Sequence, residues 1–246
     1  MSDHGPSESR AGPARETRDT QAAEEYVVNR YRRWQSWPDG YRYKHVKGAR
    51  IAHIIGEARG SPPFVLELGV GPGGVAAAVS KRGHRIIGVD LSREALARAR
   101  EHCAFDNVAL VCASGFSLPF ISQSLALIYA SQVLHLFDSP ERVSIMREVY
   151  RVLRPGGQFL FDMKNASSHP FRFMTSSAKR RTRNFPPRVE VTSLLHGVGF
   201  RAIDLRPGVL PMVGWVRVPN FALCRFLAHT TFFLATRPEG DGPGRS

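Results

Sequence analysis

Glycines and two carboxylates are spaced along residues 67–90 in a pattern that suits a ligand-binding turn. Glu67 ends an apolar run and is followed by Gly69, Gly71 and Gly73 in the order E-x-G-x-G-x-G. Asp90 ends a second apolar run. Glycine lets the backbone approach a ligand closely, and carboxylates accept hydrogen bonds from hydroxyl and amine groups. The spacing therefore predicts a turn that holds a ligand carrying such groups.

This pattern differs from the dinucleotide fingerprint G-x-G-x-x-G. There a pyrophosphate lies at a helix N-terminus, and an acid at the position of Glu67 would be poorly suited to it. Glu67 suits a cationic amine, and Asp90 can accept hydrogen bonds from both hydroxyls of a ribose. An adenosine with an attached amino acid and no phosphates fits both residues. S-adenosylmethionine is such a molecule.

Short apolar runs alternate with helical patterns along most of the chain. This alternation predicts an α/β fold, a doubly wound and mostly parallel sheet of seven strands with helices on both faces. The glycine turn follows the first strand, where ligands bind in such sheets. The predicted strands are 64–68, 85–89, 108–113, 126–130, 158–162, 200–205 and 231–235, and the predicted helices include 24–33, 47–59, 75–82, one capped by Ser92, 139–153 and 189–198.

Five sequence blocks in this order resemble the class I S-adenosylmethionine-dependent methyltransferases, of the type that acts on small molecules. They cover about residues 64–164, with a weaker match over 191–200. The resemblance implies the Rossmann-like methyltransferase fold and S-adenosylmethionine as cofactor. The blocks are VLELGVGPGG, IIGVDLSREALARAR, LVCASGFSLPF, LALIYASQVLHLF and EVYRVLRPGGQFLFDMK.

The resemblance also implies a role for each matching residue. Glu67 would lie near the methionine amine, Asp90 would hold the ribose hydroxyls, and Leu91 would pack on the adenine. Ser131 and Gln132 would face the methyl-transfer cleft, where His135 is a candidate general base. The implied cofactor-binding residues are Glu67, Gly69, Gly71, Gly73, Asp90, Leu91, Ser114, Gly115 and Ser131.

One position departs from the family pattern in a way that bears on the cofactor. The family usually has an acid where this chain has Ser114, and that acid accepts a hydrogen bond from the adenine amine. A hydroxyl accepts more weakly. We therefore expect a modest affinity for the cofactor.

The resemblance also divides the chain into segments. We expect residues 1–25 to be a disordered tail, because they are rich in Gly, Pro, Ser, Glu and Arg. Residues 26–246 are expected to form a single methyltransferase domain. Within it, 26–60 would be an N-terminal helical cap, 64–164 the cofactor-binding core, and 165–188 and 207–229 lid insertions on the acceptor side.

Charge is concentrated in two segments outside the core blocks. The net charge is +13. Residues 26–50 hold seven basic residues and one acid, and residues 172–188 hold six basic residues and no acid. With interleaved aromatics, they suit an anionic or hydrophobic small molecule, an RNA surface, or simply a solvated basic face. A natural product, quinone, sugar or lipid acceptor is favoured over RNA or protein, because there is no appended RNA-binding module and no Asn-Pro-Pro-Tyr-like tetrapeptide after strand four. A non-catalytic relative that binds the cofactor is the third alternative.

The remaining features point to a cytoplasmic protein with no transmembrane segment. Residues 1–25 contain no apolar stretch typical of a signal peptide. The three cysteines have no C-x-x-C spacing, so neither a disulfide framework nor a metal site is predicted. The apolar segment 207–229 is consistent with a lid over a hydrophobic acceptor, with contact to a membrane surface, or with ordinary packing. The oligomeric state is left open.

Overall fold

The computed structural model describes residues 13–34, 40–57, 62–103, 106–164, 186–207, 209–210, 216–217 and 230–240. The strands are β1 (Val65–Leu68), β2 (Ile86–Asp90), β3 (Val108–Cys112), β4 (Leu125–Ala130), β5 (Leu153–Lys164), β6 (Arg201–Pro207), β7 (Val209–Leu210), β8 (Val216–Arg217) and β9 (Thr230–Thr236). The helices are α1 (Pro13–Trp34), α2 (Gly40–Gly56), α3 (Gly74–Ser80), α4 (Arg93–His102), α5 (Ser139–Val152) and α6 (Arg188–Val198), with a 3-10 turn over Leu134–Leu136.

Seven of the strands form one sheet in the order β3-β2-β1-β4-β5-β9-β6. Strands β1 to β5 pair in parallel, while β9 runs antiparallel to both β5 and β6. The chain order reverses at β1, which lies between β2 and β4. The predicted α/β fold with a mostly parallel seven-stranded sheet is confirmed.

Alternate residues of the strands enter two separate cores, one on each face of the sheet. Leu66 packs on the face covered by α5 and α6, while Val65 packs on the face covered by α2 and α3. Helices α2 and α3 pack very closely at Gly48. A Cβ added there would lie only 2.5 Å from the Cβ of Ala78, so the contact requires a glycine. Buried parallel strands are typically apolar on both faces, as the runs in this sequence are.

Side-chain caps fix where two of the helices begin. The Ser92 hydroxyl accepts a hydrogen bond from the Ala95 N–H at 3.1 Å, so the predicted cap of α4 is confirmed. Asp138 and Glu141 form a reciprocal capping box at the start of α5. Both caps lie beside loops that follow strands of the sheet, and so help to position those loops.

Helix α1 starts earlier than the sequence analysis predicted. It begins at Pro13, so the structure differs from the predicted disordered tail over residues 13–25. This stretch holds Ala, Glu, Arg and Gln, which favour helix, and Ala23 is buried in the main core. The average composition of residues 1–25 gives no indication that Ala23 packs in the core. Residues 1–12 lie outside the described residues.

Strand β5 is longer than predicted because it includes the Arg154–Gly157 turn. The backbone N–H of Gly156 donates to the Arg237 carbonyl at 3.0 Å, and the Arg237 N–H donates to the Gly157 carbonyl at 2.8 Å. Helix α5 ends before this turn, at Val152, close to the predicted end. The predicted insertion 165–188 lies outside the described residues except for 186–188. Of the insertion 207–229, only 207, 209–210 and 216–217 are described.

Neither a membrane-spanning helix nor a metal-binding cluster occurs among the described residues. No helix among them is long and apolar enough to cross a membrane. The same residues include no group of three or more histidine, cysteine or acidic side chains placed to hold a metal ion.

Candidate functional site

A cavity of about 450 Å³ lies at the carboxyl ends of strands β1 to β4. Helices α1 and α2 contribute to its wall from outside the sheet. Its size falls within the range of ordinary small-molecule sites. The structure brings nearly all of the predicted site residues to this cavity, namely Glu67, Gly69, Gly71, Asp90, Leu91, Ser114, Gly115, Ser131 and His135.

The Asp90 carboxylate is fixed at the end of β2 by two backbone N–H groups. Gly71 donates to Oδ2 at 2.8 Å, and Ser92 donates to Oδ1 at 2.9 Å. Burial raises the pKa of Asp90, and these hydrogen bonds oppose the shift. Each carboxylate oxygen keeps a further lone pair. Asp90 can therefore accept hydrogen bonds from two neighbouring hydroxyls of a ligand.

The Glu67 side chain is buried at the end of β1, with 1% of the residue exposed. It accepts a hydrogen bond from the hydroxyl of Tyr129, its cross-strand neighbour on β4, at 2.7 Å. Burial raises the pKa of Glu67 to about 8, although the Tyr129 hydrogen bond and Lys44 oppose the shift. A buried carboxyl of this kind favours a cationic group placed beside it.

Two lysines of α2 reach the same cavity wall. Burial lowers the pKa of Lys44, and the nearby charge of Glu67 opposes that effect. Lys47 forms a buried ion pair with Asp162 on β5, with Nζ and Oδ2 2.6 Å apart and both side chains at most 2% exposed. Glu67 and Lys44 thus bring a carboxyl group and an amine to one end of the cavity.

Three of the four predicted site glycines, Gly69, Gly71 and Gly73, differ in what surrounds them. All three have positive φ angles, where other residues are strained. A Cβ at Gly71 would meet nothing within 4 Å, and Gly71 lines the cavity. A Cβ at Gly69 would lie 2.3 Å from the side chain of Val133, in the loop that follows β4. Gly73 is not among the cavity-lining residues, because it packs against α4, where a Cβ would lie 2.6 Å from Cys103 Sγ.

At the end of β3, Ser114 contacts a residue of α1. Its hydroxyl donates a hydrogen bond to Oε1 of Glu24, and its Oγ accepts one from the Phe116 N–H at 3.1 Å. Glu24 and Phe116 also line the cavity. The wall here therefore carries a carboxylate, although the strand itself supplies only a hydroxyl.

The wall beyond β4 combines a strained loop with apolar side chains. Gln132 has φ +60°, a strained conformation for a non-glycine residue, and its N–H donates to Asp162 Oδ1 at 2.7 Å. His135 follows in the 3-10 turn and is 5% exposed. The apolar members of this wall are Val133, Leu136, Phe137 and Ile145.

Several cavity-lining residues were not assigned to the site by the sequence analysis, and neither was Tyr129, which holds Glu67 from within the sheet. Tyr129 lies in a strand and resembles an ordinary core residue, and its only signal is its register opposite Glu67. The others come from the cap helices, where nothing in the local pattern distinguishes them from surface charges and aromatics. They are Glu24, Val27, Tyr31, Lys44 and Lys47.

The chemistry of the cavity fits the cofactor that the sequence predicts. The amino-acid end of S-adenosylmethionine carries one positive and one negative group, which Glu67 and Lys44 can match. The ribose carries two neighbouring hydroxyls, and the fixed carboxylate of Asp90 can accept a hydrogen bond from each of them. A side chain at Gly71 would project into this space, so the glycine keeps it open.

Comparisons with known proteins support the same identification. Residues 65–157 match the model of a family described as "Methyltransferase domain". A probable S-adenosylmethionine-dependent methyltransferase of Mycolicibacterium smegmatis is 30% identical over 182 residues, which is 68% of this chain and 67% of that protein.

Two further comparisons extend this result. Malonyl-[acyl-carrier protein] O-methyltransferase of Enterobacter lignolyticus is 34% identical over 106 residues, or 43% of this chain, so the chain spans only 41% of that relative. The CcbJ methyltransferase of Streptomyces caelestis shares the fold, with a TM-score of 0.63 at 17% identity over 89% of this chain and 98% of that one. The sequence blocks, the fold and these relatives show that the chain belongs to the class I S-adenosylmethionine-dependent methyltransferases.

Proposed function

We propose that this chain transfers a methyl group from S-adenosylmethionine to a small-molecule acceptor that is hydrophobic or anionic. A natural product, quinone, sugar or lipid belongs to this class. The observation that carries the proposal is the cavity beside β1 and β2, where Glu67 and Lys44 lie at one end and the fixed carboxylate of Asp90 follows. When bound, S-adenosylmethionine supplies a methyl group on a positively charged sulfonium.

The residues around β1 to β3 would hold the cofactor. Glu67 would pair with the amine and Lys44 with the carboxylate of its amino-acid part. Asp90 would accept hydrogen bonds from both ribose hydroxyls, because its oxygens are already oriented by backbone N–H groups. Leu91 would pack on the adenine, with Gly115 beside it. These roles use the polar groups at that end of the cavity without leaving a buried charge unpaired.

The wall beyond β4 would hold the acceptor. Its side chains are apolar around Val133, Leu136 and Phe137, which favours a hydrophobic molecule and excludes water from the reacting atoms. The relative from Enterobacter lignolyticus is named for a malonyl acceptor, which supports an acid group in the acceptor.

His135 is our candidate for a general base. It lines the acceptor wall and is largely buried. A base is needed only when the acceptor loses a proton during the transfer. Ser131 and Gln132 precede it in the same loop, and the bond from the Gln132 N–H to Asp162 ties this loop to β5. His135 would therefore be held at a defined place relative to the acceptor.

The test is an incubation with methyl-labelled S-adenosylmethionine and separate acceptor classes. The classes are quinols, hydroxylated aromatic acids, sugars, lipids and RNA, and the readouts are the labelled product and S-adenosylhomocysteine. We expect labelling in a small-molecule class, and a strong loss in Asp90→Asn. Labelling of RNA alone would contradict the acceptor assignment. Binding of the cofactor with no transfer to any class would contradict the enzyme assignment.

A further inference from the structure

The end of the cavity next to β3 carries an acid that comes from outside the sheet. Glu24 lies on α1, ninety residues before Ser114, whose hydroxyl donates to its carboxylate. Ala23 is buried in the main core, and Val27, about one turn after Ala23, also lines the cavity. The α1 backbone is therefore held against the sheet at this point, and Glu24 is positioned by packing as well as by Ser114.

Glu24 is the main hydrogen-bond acceptor at this end of the cavity. The single hydroxyl proton of Ser114 is already donated to Glu24, and its oxygen already accepts from the Phe116 N–H. A carboxylate has about four lone-pair sites. The hydrogen bond from Ser114 uses one of those on Oε1, so Glu24 keeps acceptor sites for a donor in the cavity.

The order of polar groups along the strand ends shows which part of the cofactor lies here. The carboxyl group of Glu67 and the amine of Lys44 lie beside β1, and Asp90 lies beside β2. The ribose of S-adenosylmethionine connects the amino-acid part to the adenine. With the amino acid at β1 and the ribose at β2, the adenine reaches the end of β3. Its exocyclic amine is a hydrogen-bond donor, and Glu24 is an acceptor.

We propose that Glu24 accepts a hydrogen bond from the exocyclic amine of the adenine, and that Ser114 orients its carboxylate. The cofactor base is then recognised by a residue of the N-terminal helix rather than by a residue after β3. This inference rests on the proposed function for the direction in which the cofactor lies. It also replaces the expectation of weak cofactor binding, because a carboxylate is present at this end after all.

The test is calorimetric titration of the full chain with S-adenosylhomocysteine and with S-inosylhomocysteine, in which an oxo group replaces the amine. Wild type should prefer the adenine compound by at least roughly tenfold, as expected for a hydrogen bond to a charged group. Glu24→Gln should bind S-adenosylhomocysteine about tenfold to a hundredfold more weakly. Its preference should fall to about threefold or less, because its amide can donate to the oxo group.

Two further variants separate recognition from folding. Glu25→Gln changes an exposed acid on the same helix and should retain wild-type affinities for both compounds. Adding Ser114→Asp to Glu24→Gln should restore the preference for adenine, because it places a carboxylate at the same end of the cavity. A variant that merely misfolds would not be rescued in this way.

The outcomes distinguish this inference from the proposed function. Wild type that binds S-adenosylhomocysteine, with a base preference unchanged in Glu24→Gln, would overturn the inference alone. An equal loss for both compounds, with the preference retained, would also overturn it. Wild type that binds neither compound would overturn both proposals.

Discussion

The two halves of the cavity are built in different ways. Beside β1 and β2, the contact from the Gly71 N–H to Asp90 joins residues only 19 apart. Beside β4 and β5, the contact between Lys47 and Asp162 joins residues 115 apart and depends on α2. The first of these contacts is therefore specified by a local turn that a sequence motif reveals. The other depends on how the cap helices pack against the sheet.

The largest effect should come from breaking the long-range contact in the second half. Lys47→Met leaves Asp162 buried without its ion-pair partner, and removing one member of a buried pair typically costs about 3–5 kcal/mol of unfolding free energy. Chemical denaturation would measure it. Adding Asp162→Asn should recover much of the loss, because it removes the buried charge and keeps an acceptor for the Gln132 N–H.

The control for this prediction is the exposed ion pair between Arg32 and Glu94. Arg32→Met should leave the unfolding free energy nearly unchanged, because exposed pairs contribute little. If Lys47→Met were as mild as Arg32→Met, the second half of the cavity would not depend on the buried pair.

A smaller effect is expected where the two halves meet. Gly69 has φ +72°, and its added Cβ would lie 2.3 Å from Val133 in the loop after β4. Gly69→Ala should lower the unfolding free energy by about 2–4 kcal/mol, combining left-handed strain with overpacking. Gly71→Ala adds a Cβ in open space, so it should cost only the strain of about 1–2 kcal/mol, while cofactor binding weakens.

Gly56→Ala is the matched control, since it lies at the end of α2 and a Cβ there meets nothing within 4 Å. It should leave both stability and binding unharmed. Equal stability losses in Gly69→Ala and Gly71→Ala would contradict the distinction between a packing glycine and a cavity glycine.

The smallest effect should be a pH dependence confined to the first half. The raised pKa of Glu67, about 8, means that the carboxyl is mostly protonated below that pH. Glu67 must lose its proton before it can pair with an amine. Affinity for S-adenosylhomocysteine should therefore rise with pH, by up to about tenfold between pH 6 and 7. Titrations across this range would measure the slope.

Glu67→Gln removes the titrating group and keeps an acceptor for the Tyr129 hydroxyl. Its affinity should be lower and almost independent of pH below 8. A wild-type slope that persists in this variant would assign the titration to another group.

The part of the cavity beside β1 and β2 was largely predictable from the sequence. The contributions of helices α1 and α2 were not. The strands, the Ser92 cap and the arrival of Glu67 and Asp90 at one cavity follow from short-range patterns of apolar runs, glycines and acids. Glu24 and Lys47 lie in stretches whose composition suggests a tail or a basic surface. Only tertiary packing brings them to the cavity, and a single sequence carries no local signal for that.

The glycine motif also shows a limit of sequence patterns as a guide to geometry. The motif treats Gly69, Gly71 and Gly73 alike, yet only the first two line the cavity. Gly73 permits close packing of the turn on α4 instead. Spacing alone cannot distinguish a glycine that faces a ligand from one that faces a helix.

The most direct test of the account is calorimetric titration of S-adenosylhomocysteine into wild type, Asp90→Asn and Asp106→Asn. Asp106 is an exposed acid in a turn before β3 and serves as the control. We expect wild type and Asp106→Asn to bind with similar affinity. Asp90→Asn should bind about 1.5–3 kcal/mol more weakly, as for a lost hydrogen bond to a charged group. Equal binding by Asp90→Asn, or no binding by wild type, would contradict the account.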